Sequence, residues 1–135
     1  MNDDMLDSPA HYERNGVECW QITRHMTYML GNMCKYVFRH RLKGNPYVDL
    51  QKALRYARQL NAVDMGLLPM TDNTLVLVQH ACLRVHDVSQ TDAERRFWEM
   101  VLPVRTPDSH RPRVSDANPE AYPVALNGIV GEERP

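Results

Sequence analysis

Asn32, Lys35, Tyr36, Arg39 and Lys43 lie along one stretch of the chain, the last four spaced three, four, seven and eleven positions beyond the first. That spacing aligns them on one side of a helix. Their types suit a phosphorylated ligand with a ring. A lysine brings a mobile point charge, an arginine a planar fork that matches two phosphate oxygens, a tyrosine a stacking surface, and an asparagine both a donor and an acceptor. The plain alternative is a solvated helix face. Against it, the stripe has no acidic partner at helical spacing within its own helix. Gly31 beside it also costs about 1 kcal/mol relative to alanine in a helix interior, marking either a close approach by a ligand or a helix crossing.

Further along, Asp49, Lys52 and Tyr56 stand three and seven apart on what reads as the next helix, placed to face the first stripe. Asp49 has three readings: a carboxylate that orients Lys35 or Arg39, a ligand for an Mg2+ ion accompanying phosphate, or a first-turn residue at the positive end of a helix. His11 and Tyr12 precede Gly16-Val17-Glu18 and are positioned to close over the same cleft, His11 as a neutral donor or a proton carrier near pH 7. A surface histidine and a packed tyrosine are the ordinary alternative.

The elements that must hold these residues are helices. Met26, Leu30, Met33 and Val37 share one face of a helix that is expected to end near Lys43, where Lys-Gly-Asn-Pro supplies a cap glycine and then a proline. Leu50, Ala53, Leu54, Ala57 and Leu60 form the buried stripe of its successor, and two helices so closely joined pack antiparallel. Val17 to Arg24 is too short for its period to separate helix from strand; a helix is expected. Leu75, Val78, Cys82 and Val85 mark a further helix, although the β-branched content of Thr74 to Val78 also suits a strand. Thr91-Asp92-Ala93-Glu94 reads as a capping box opening a helix through Phe97, Trp98 and Val101. The expected fold is all-α, a small bundle of four or five helices. Residues 1–10 form a flexible lead-in, 11–102 the helical domain (11–62 and an added pair at 70–102), and 103–135 a proline-rich, disordered or irregular tail.

Charge is nearly balanced, with 16 Lys+Arg against 17 Asp+Glu and a net charge of -1. No global field draws such a chain onto nucleic acid or anionic lipid, so an anion site must be local. Between Lys35 and Arg58 the basic residues meet a single carboxylate, Asp49. No apolar run is long enough for a membrane span and the N-terminus is acidic, so a cytoplasmic location is expected. Cys19, Cys34 and Cys82 suit packed thiols better than a disulfide framework. His80, Cys82 and His86 lack the ligand number and spacing of a zinc site. Glu18, Glu94 and Glu99 are too dispersed for the glutamate cluster of an all-α pyrophosphohydrolase. Eight methionines on a small bundle favour a homo-oligomer.

Four ordered blocks, Ser8-Pro9-Ala10-His11-Tyr12, Gly16-Val17-Glu18, Gly31 through Arg39 and Asp49 through Tyr56, resemble a small phage-encoded family long carried as a domain of unknown function. That family is commonly called nucleotide kinase, because a phage nucleoside-monophosphate kinase without a P-loop contains the same blocks. The resemblance covers about residues 8 to 60 and implies roles for His11, Tyr12, Glu18, Gly31, Asn32, Lys35, Tyr36, Arg39, Asp49, Lys52 and Tyr56. Where the family usually runs from its arginine through a small residue to glycine and lysines, this chain has His40, Arg41 and Leu42 before Lys43. The resemblance implies a nucleotide-binding protein. In a kinase, Lys35, Arg39 and Lys43 neutralise phosphates, Asp49 positions Mg2+ or the attacking oxygen, and ATP is the donor. No GxxxxGK[ST] loop is present, however. The same residues also suit a non-catalytic binder that sequesters a host signalling nucleotide, or, less well, a nucleic-acid-binding module.

Overall fold

The computed structural model describes residues 13–42, 44–107 and 111–133, so His11, Tyr12 and Lys43 lie outside the described residues. The chain opens with a hairpin, β1 (Glu13–Arg14) paired antiparallel to β2 (Val17–Glu18). Asn15 and Gly16 form its two-residue turn with φ of 51° and 76°. Asparagine and glycine tolerate this left-handed region, and the pairing matches the twist of a hairpin. A helix was the expectation from Val17; the turn instead makes a strand, followed by the single helical turn α1 (Trp20–Thr23). Val17, Cys19 and Ile22 enter the core while Trp20 stays half exposed.

Helix α2 (Tyr28–Arg39) buries Leu30, Met33 and Val37, and Met26 just ahead of it is buried too, so the expected apolar face is the core face. It stops at Arg39 rather than Lys43, with His40 as its cap. Helix α3 (Pro46–Ala57) begins at the proline: Asn45 accepts a hydrogen bond from the Val48 amide at 3.2 Å, and Pro46 occupies a first-turn position that needs no donor. Rising numbers on α3 meet falling numbers on α2, Lys52 at Tyr36 and Tyr56 at Tyr28, which is the antiparallel order.

A short 3-10 turn at Ala62–Met65 leads to α4 (Asp72–Asp87) and α5 (Asp92–Met100). The strand alternative at Thr74 to Val78 does not occur: Leu75, Val78, Cys82 and Val85 are the buried side of α4. Thr91 caps α5 by accepting from the Glu94 amide at 3.2 Å. The second half of the expected capping box is different. The Glu94 carboxylate, fully buried, meets Arg14 at 2.9 Å and Arg41 at 2.8 Å.

The tail expected beyond Pro103 is structured. Strand β3 (Pro103–Val104) pairs antiparallel with β4 (Arg113–Val114), and the Leu67 amide donates to the Pro112 carbonyl at 2.9 Å. Helix α6 (Ala121–Glu133) follows and packs on α3 and α5. Its buried residues, Tyr122, Leu126, Ile129 and Val130, are spaced as one helix face. Pro123 sits in the first turn, where a missing amide is tolerated, so counting prolines hid a helix. The described residues thus hold six α-helices, a mainly helical fold with two short strand pairs. An aromatic chain ties the added segment in: Phe38 to Trp98 at 6.3 Å, Trp98 to Phe97 at 5.2 Å, Phe97 to Tyr122 at 6.3 Å. The Tyr122 hydroxyl lies 2.7 Å from the Asp116 carbonyl, which satisfies its polar end.

Cys19, Cys34 and Cys82 are free and buried. Among the described residues no helix is long and apolar enough to cross a membrane.

Candidate functional site

The antiparallel seam of α2 and α3 brings the two predicted stripes together. Tyr36 stacks on Tyr56 with ring centroids 6.0 Å apart and planes 18° from parallel. Around Tyr36 stand three cations from two helices, the Lys35 ammonium at 4.8 Å, the Lys52 ammonium at 5.4 Å and the Arg39 guanidinium at 5.6 Å from the ring centre. The ring's negative face attracts each of them. Lys35 and Lys52 pair with no carboxylate among the described residues. Burial pushes the Cys19 thiol up to about 12, while the charges of Lys35 and Arg39 oppose that rise.

Towards the start of α2 the face becomes aromatic and open. Tyr28 is 73% exposed and meets Tyr56 edge-on at 6.2 Å. Asn32 donates its amide to the Tyr28 carbonyl at 2.8 Å, leaving its side-chain oxygen without a bond among the described residues. Tyr28 was missed in the sequence, although it stands four before Asn32 and seven before Lys35, on the same stripe. A shallow depression of about 230 Å³ lies alongside, bounded by Thr23, Thr27, Tyr28, Gly31, Asn32 and Lys35.

A methyl group at Gly31 would stand 3.4 Å from the Thr23 carbonyl oxygen and 3.6 Å from Met26 Cβ, ordinary contact distances, so α2 runs close past the end of α1 there without the space itself demanding glycine. Asp49 lies in the first turn of α3 but is only 2% exposed. Its Oδ2 is buried without a hydrogen-bond partner among the described residues. A capping role does not explain that burial, because a carboxylate serving a helix dipole keeps its oxygens at water or amides. As for Mg2+, no group of three or more His, Cys, Asp or Glu that could hold a metal exists among the described residues. A single carboxylate is a fraction of a protein-built magnesium site, and the seam by itself does not fit one.

His40 and Arg41, the departures from the family pattern, face away from this seam. Arg41 bridges Glu94 on α5 and Glu133 on α6, and the His40 ring nitrogen Nε2 lies 3.8 Å from Glu94 and 4.0 Å from Glu133. Burial holds His40 below its ordinary value of 6.5, aided by Arg41 and Arg14, against the Val37 carbonyl and Glu94. Burial would raise Glu94, but hydrogen bonding and charge from Arg14, with His40 and Arg41, bring it below the ordinary carboxylate value. The sequence held no sign of this cluster, since Arg14 and Glu94 are 80 positions apart and Arg41 and Glu133 further still.

Residues 6–58 match a family described as a protein of unknown function (DUF3310). The matched segment runs from the hairpin through the end of α3 and contains every residue of the seam. The family match excludes α4, α5 and α6. No curated protein and no solved structure matches the chain.

Proposed function

We propose that the α2/α3 seam binds a nucleotide, with Lys35, Arg39 and Lys52 on its phosphates and the Tyr28, Tyr36 and Tyr56 rings on its base. The observation that carries this reading is the convergence of three cations from two helices on one tyrosine ring, with no carboxylate among the described residues paired to either lysine. A solvated face spreads like charges apart; holding three within reach of one ring is favourable when an anion arrives between them. The Asn32 side-chain oxygen offers an acceptor to a base or sugar on the Tyr28 side.

The test is a thermal-shift screen of the full chain across nucleoside mono-, di-, tri- and cyclic phosphates, since a ligand of the folded state raises the melting temperature by mass action. A nucleotide-dependent rise that shrinks in Lys35→Ala and in Lys52→Ala is the expected result. No rise with any nucleotide, or a rise unaffected by either substitution, refutes the reading.

The buried Asp49 Oδ2, without a hydrogen-bond partner among the described residues, favours a second step, phosphoryl transfer, in which a phosphate oxygen of the acceptor nucleotide attacks the γ-phosphorus of ATP, ADP leaves, and Asp49 positions the attacking oxygen. ATP with Mg2+ is the donor that this step requires; the metal would have to arrive with the phosphates, and no part of the binding reading depends on it. Labelled ATP with a panel of deoxynucleoside monophosphates decides between a kinase and a binder that only sequesters. Tight binding without transfer leaves the sequestering function.

A further inference from the structure

On the other side of α1, the turn of the hairpin, α1 and α4 enclose a cleft of about 520 Å³. Its charged lining has one sign. Arg24 and Arg84 both contribute, joined by His25 and His80, and no aspartate or glutamate is among the described residues that line it. Neither arginine pairs with a carboxylate among the described residues. A concavity of about 510 Å³ elsewhere shows the contrast: Arg96 and Arg113 there share the walls with Glu99 and Asp116, so that surface neutralises itself.

The rest of the cleft is apolar and partly aromatic. Val17 and Val78 form buried wall, Leu77 is 68% exposed, and Trp20 is 51% exposed with the Arg24 guanidinium 5.3 Å from its ring centre. The rim is fixed rather than loose. Asn15 in the hairpin turn donates to the Arg84 carbonyl at 3.0 Å, so the turn is tied to the end of α4 that carries Arg84. Burial and then the Arg24 charge hold His25 below its ordinary value, which agrees with a local excess of positive charge.

We propose that this cleft is a second binding site, separate from the α2/α3 seam, for a small phosphate monoester with an apolar or aromatic body. Two guanidinium forks match a dianionic phosphate in both charge and geometry, where a carboxylate would neutralise one of them. The body of the ligand covers Trp20 and Leu77, and Gln21 and Thr74 supply neutral hydrogen-bonding groups at the wall. The volume is within the range of small-molecule sites.

Tryptophan fluorescence of the full chain reports on this site, because Trp20 lies in the cleft while Trp98 is 1% exposed in the core. Phenyl phosphate, benzoate and phenol are titrated in turn. Saturable quenching by phenyl phosphate is expected, with benzoate at least about tenfold weaker and phenol without effect. Arg24→Gln and Arg84→Gln each weaken phenyl phosphate by about tenfold or more, while Arg96→Gln leaves it unchanged. Both cleft arginines are exposed, so these variants keep the wild-type melting temperature. Lys52→Ala, on a helix that does not line the cleft, also leaves the titration unchanged, which separates this site from the seam. Absence of saturable quenching, equal affinity for benzoate, or indifference to Arg24 and Arg84 overturns the proposal.

Discussion

At the end of α2, Arg41 and the incoming Arg14 close on the Glu94 carboxylate at 2.8 and 2.9 Å; along the middle of the same helix, Lys35 meets the ring of Tyr36, shared across the seam with another lysine, and no carboxylate among the described residues. The two regions use the same residue types and treat charge in opposite ways. Glu94 is fully buried and Glu133 largely so, and they neutralise the cations at the point where the family-matched segment meets α5 and α6. There the cations are mortar. On the seam no carboxylate is paired with the lysines, and a cation beside a π-face keeps most of its charge available to an anion. Charge that is consumed by the fold is therefore distinguishable from charge left for a ligand, although helical spacing looks the same in both.

The comparison breaks most visibly at Glu94. Glu94→Gln strands Arg14 in a site that excludes water and leaves Arg41 with Glu133 alone, and losing one partner of a buried ion pair costs about 3–5 kcal/mol. A drop of that size in urea-determined stability, with a lower melting temperature, is expected. A loss below about 1 kcal/mol would mean that the cluster is no more than a surface pair.

Acid probes the same cluster through His40 and Glu94. His40 titrates lower in the folded protein than its ordinary 6.5, so the unfolded chain binds its proton first. The contribution is complete above 6.5 and is lost as pH falls through the folded value. Glu94 is also depressed, from 4.5, and its contribution is lost on further acidification. Stability should thus decline in two stages, the first below about pH 6.5. In His40→Gln the first stage shrinks to the share of His25, which is also held below its ordinary value, and the second remains. An unchanged acid profile in that variant would remove His40 from the account.

Lys35→Ala and Lys52→Ala have the opposite profile. Neither holds a carboxylate, so stability should move by less than about 0.5 kcal/mol. Nucleotide affinity, in contrast, should fall about tenfold for each, in keeping with loss of one charge-assisted contact of about 1.5 kcal/mol. Destabilisation without loss of affinity would assign the lysines to the fold.

How much of this was legible depends on distance along the chain. The face of α2, the proline entry to α3 and the caps at Asn45 and Thr91 rest on neighbours within a turn, and the sequence displays such relations directly. The hairpin was legible too, in Asn15-Gly16, but its strands are two residues long and offer no alternation. Helix α6 was obscured by Pro123, Gly128 and Gly131, which are helix-breaking on average and harmless at these positions. The pairing of Arg41 with Glu94 and Glu133 could not be read at all, because it exists only once the chain has folded back on itself. The departure at His40-Arg41 therefore gave no sign that these residues dock the segment that lies beyond the family match.

Asp49 should show the smallest thermodynamic effect and the most selective one. It is buried like Glu94, yet its Oδ2 has no partner among the described residues, so the fold gains little from its charge. A buried carboxylate in that condition is a liability, and replacing it with a neutral isostere is often neutral or stabilising. Asp49→Asn should accordingly match or exceed the wild-type melting temperature and keep nucleotide affinity within about threefold, a difference of less than about 0.7 kcal/mol. If the seam transfers phosphate, the same variant should lose turnover by about 100-fold or more, the range of a misplaced attacking oxygen, with little change in KM. A marked loss of stability in Asp49→Asn would instead give the carboxylate a structural partner and return it to the class of Glu94.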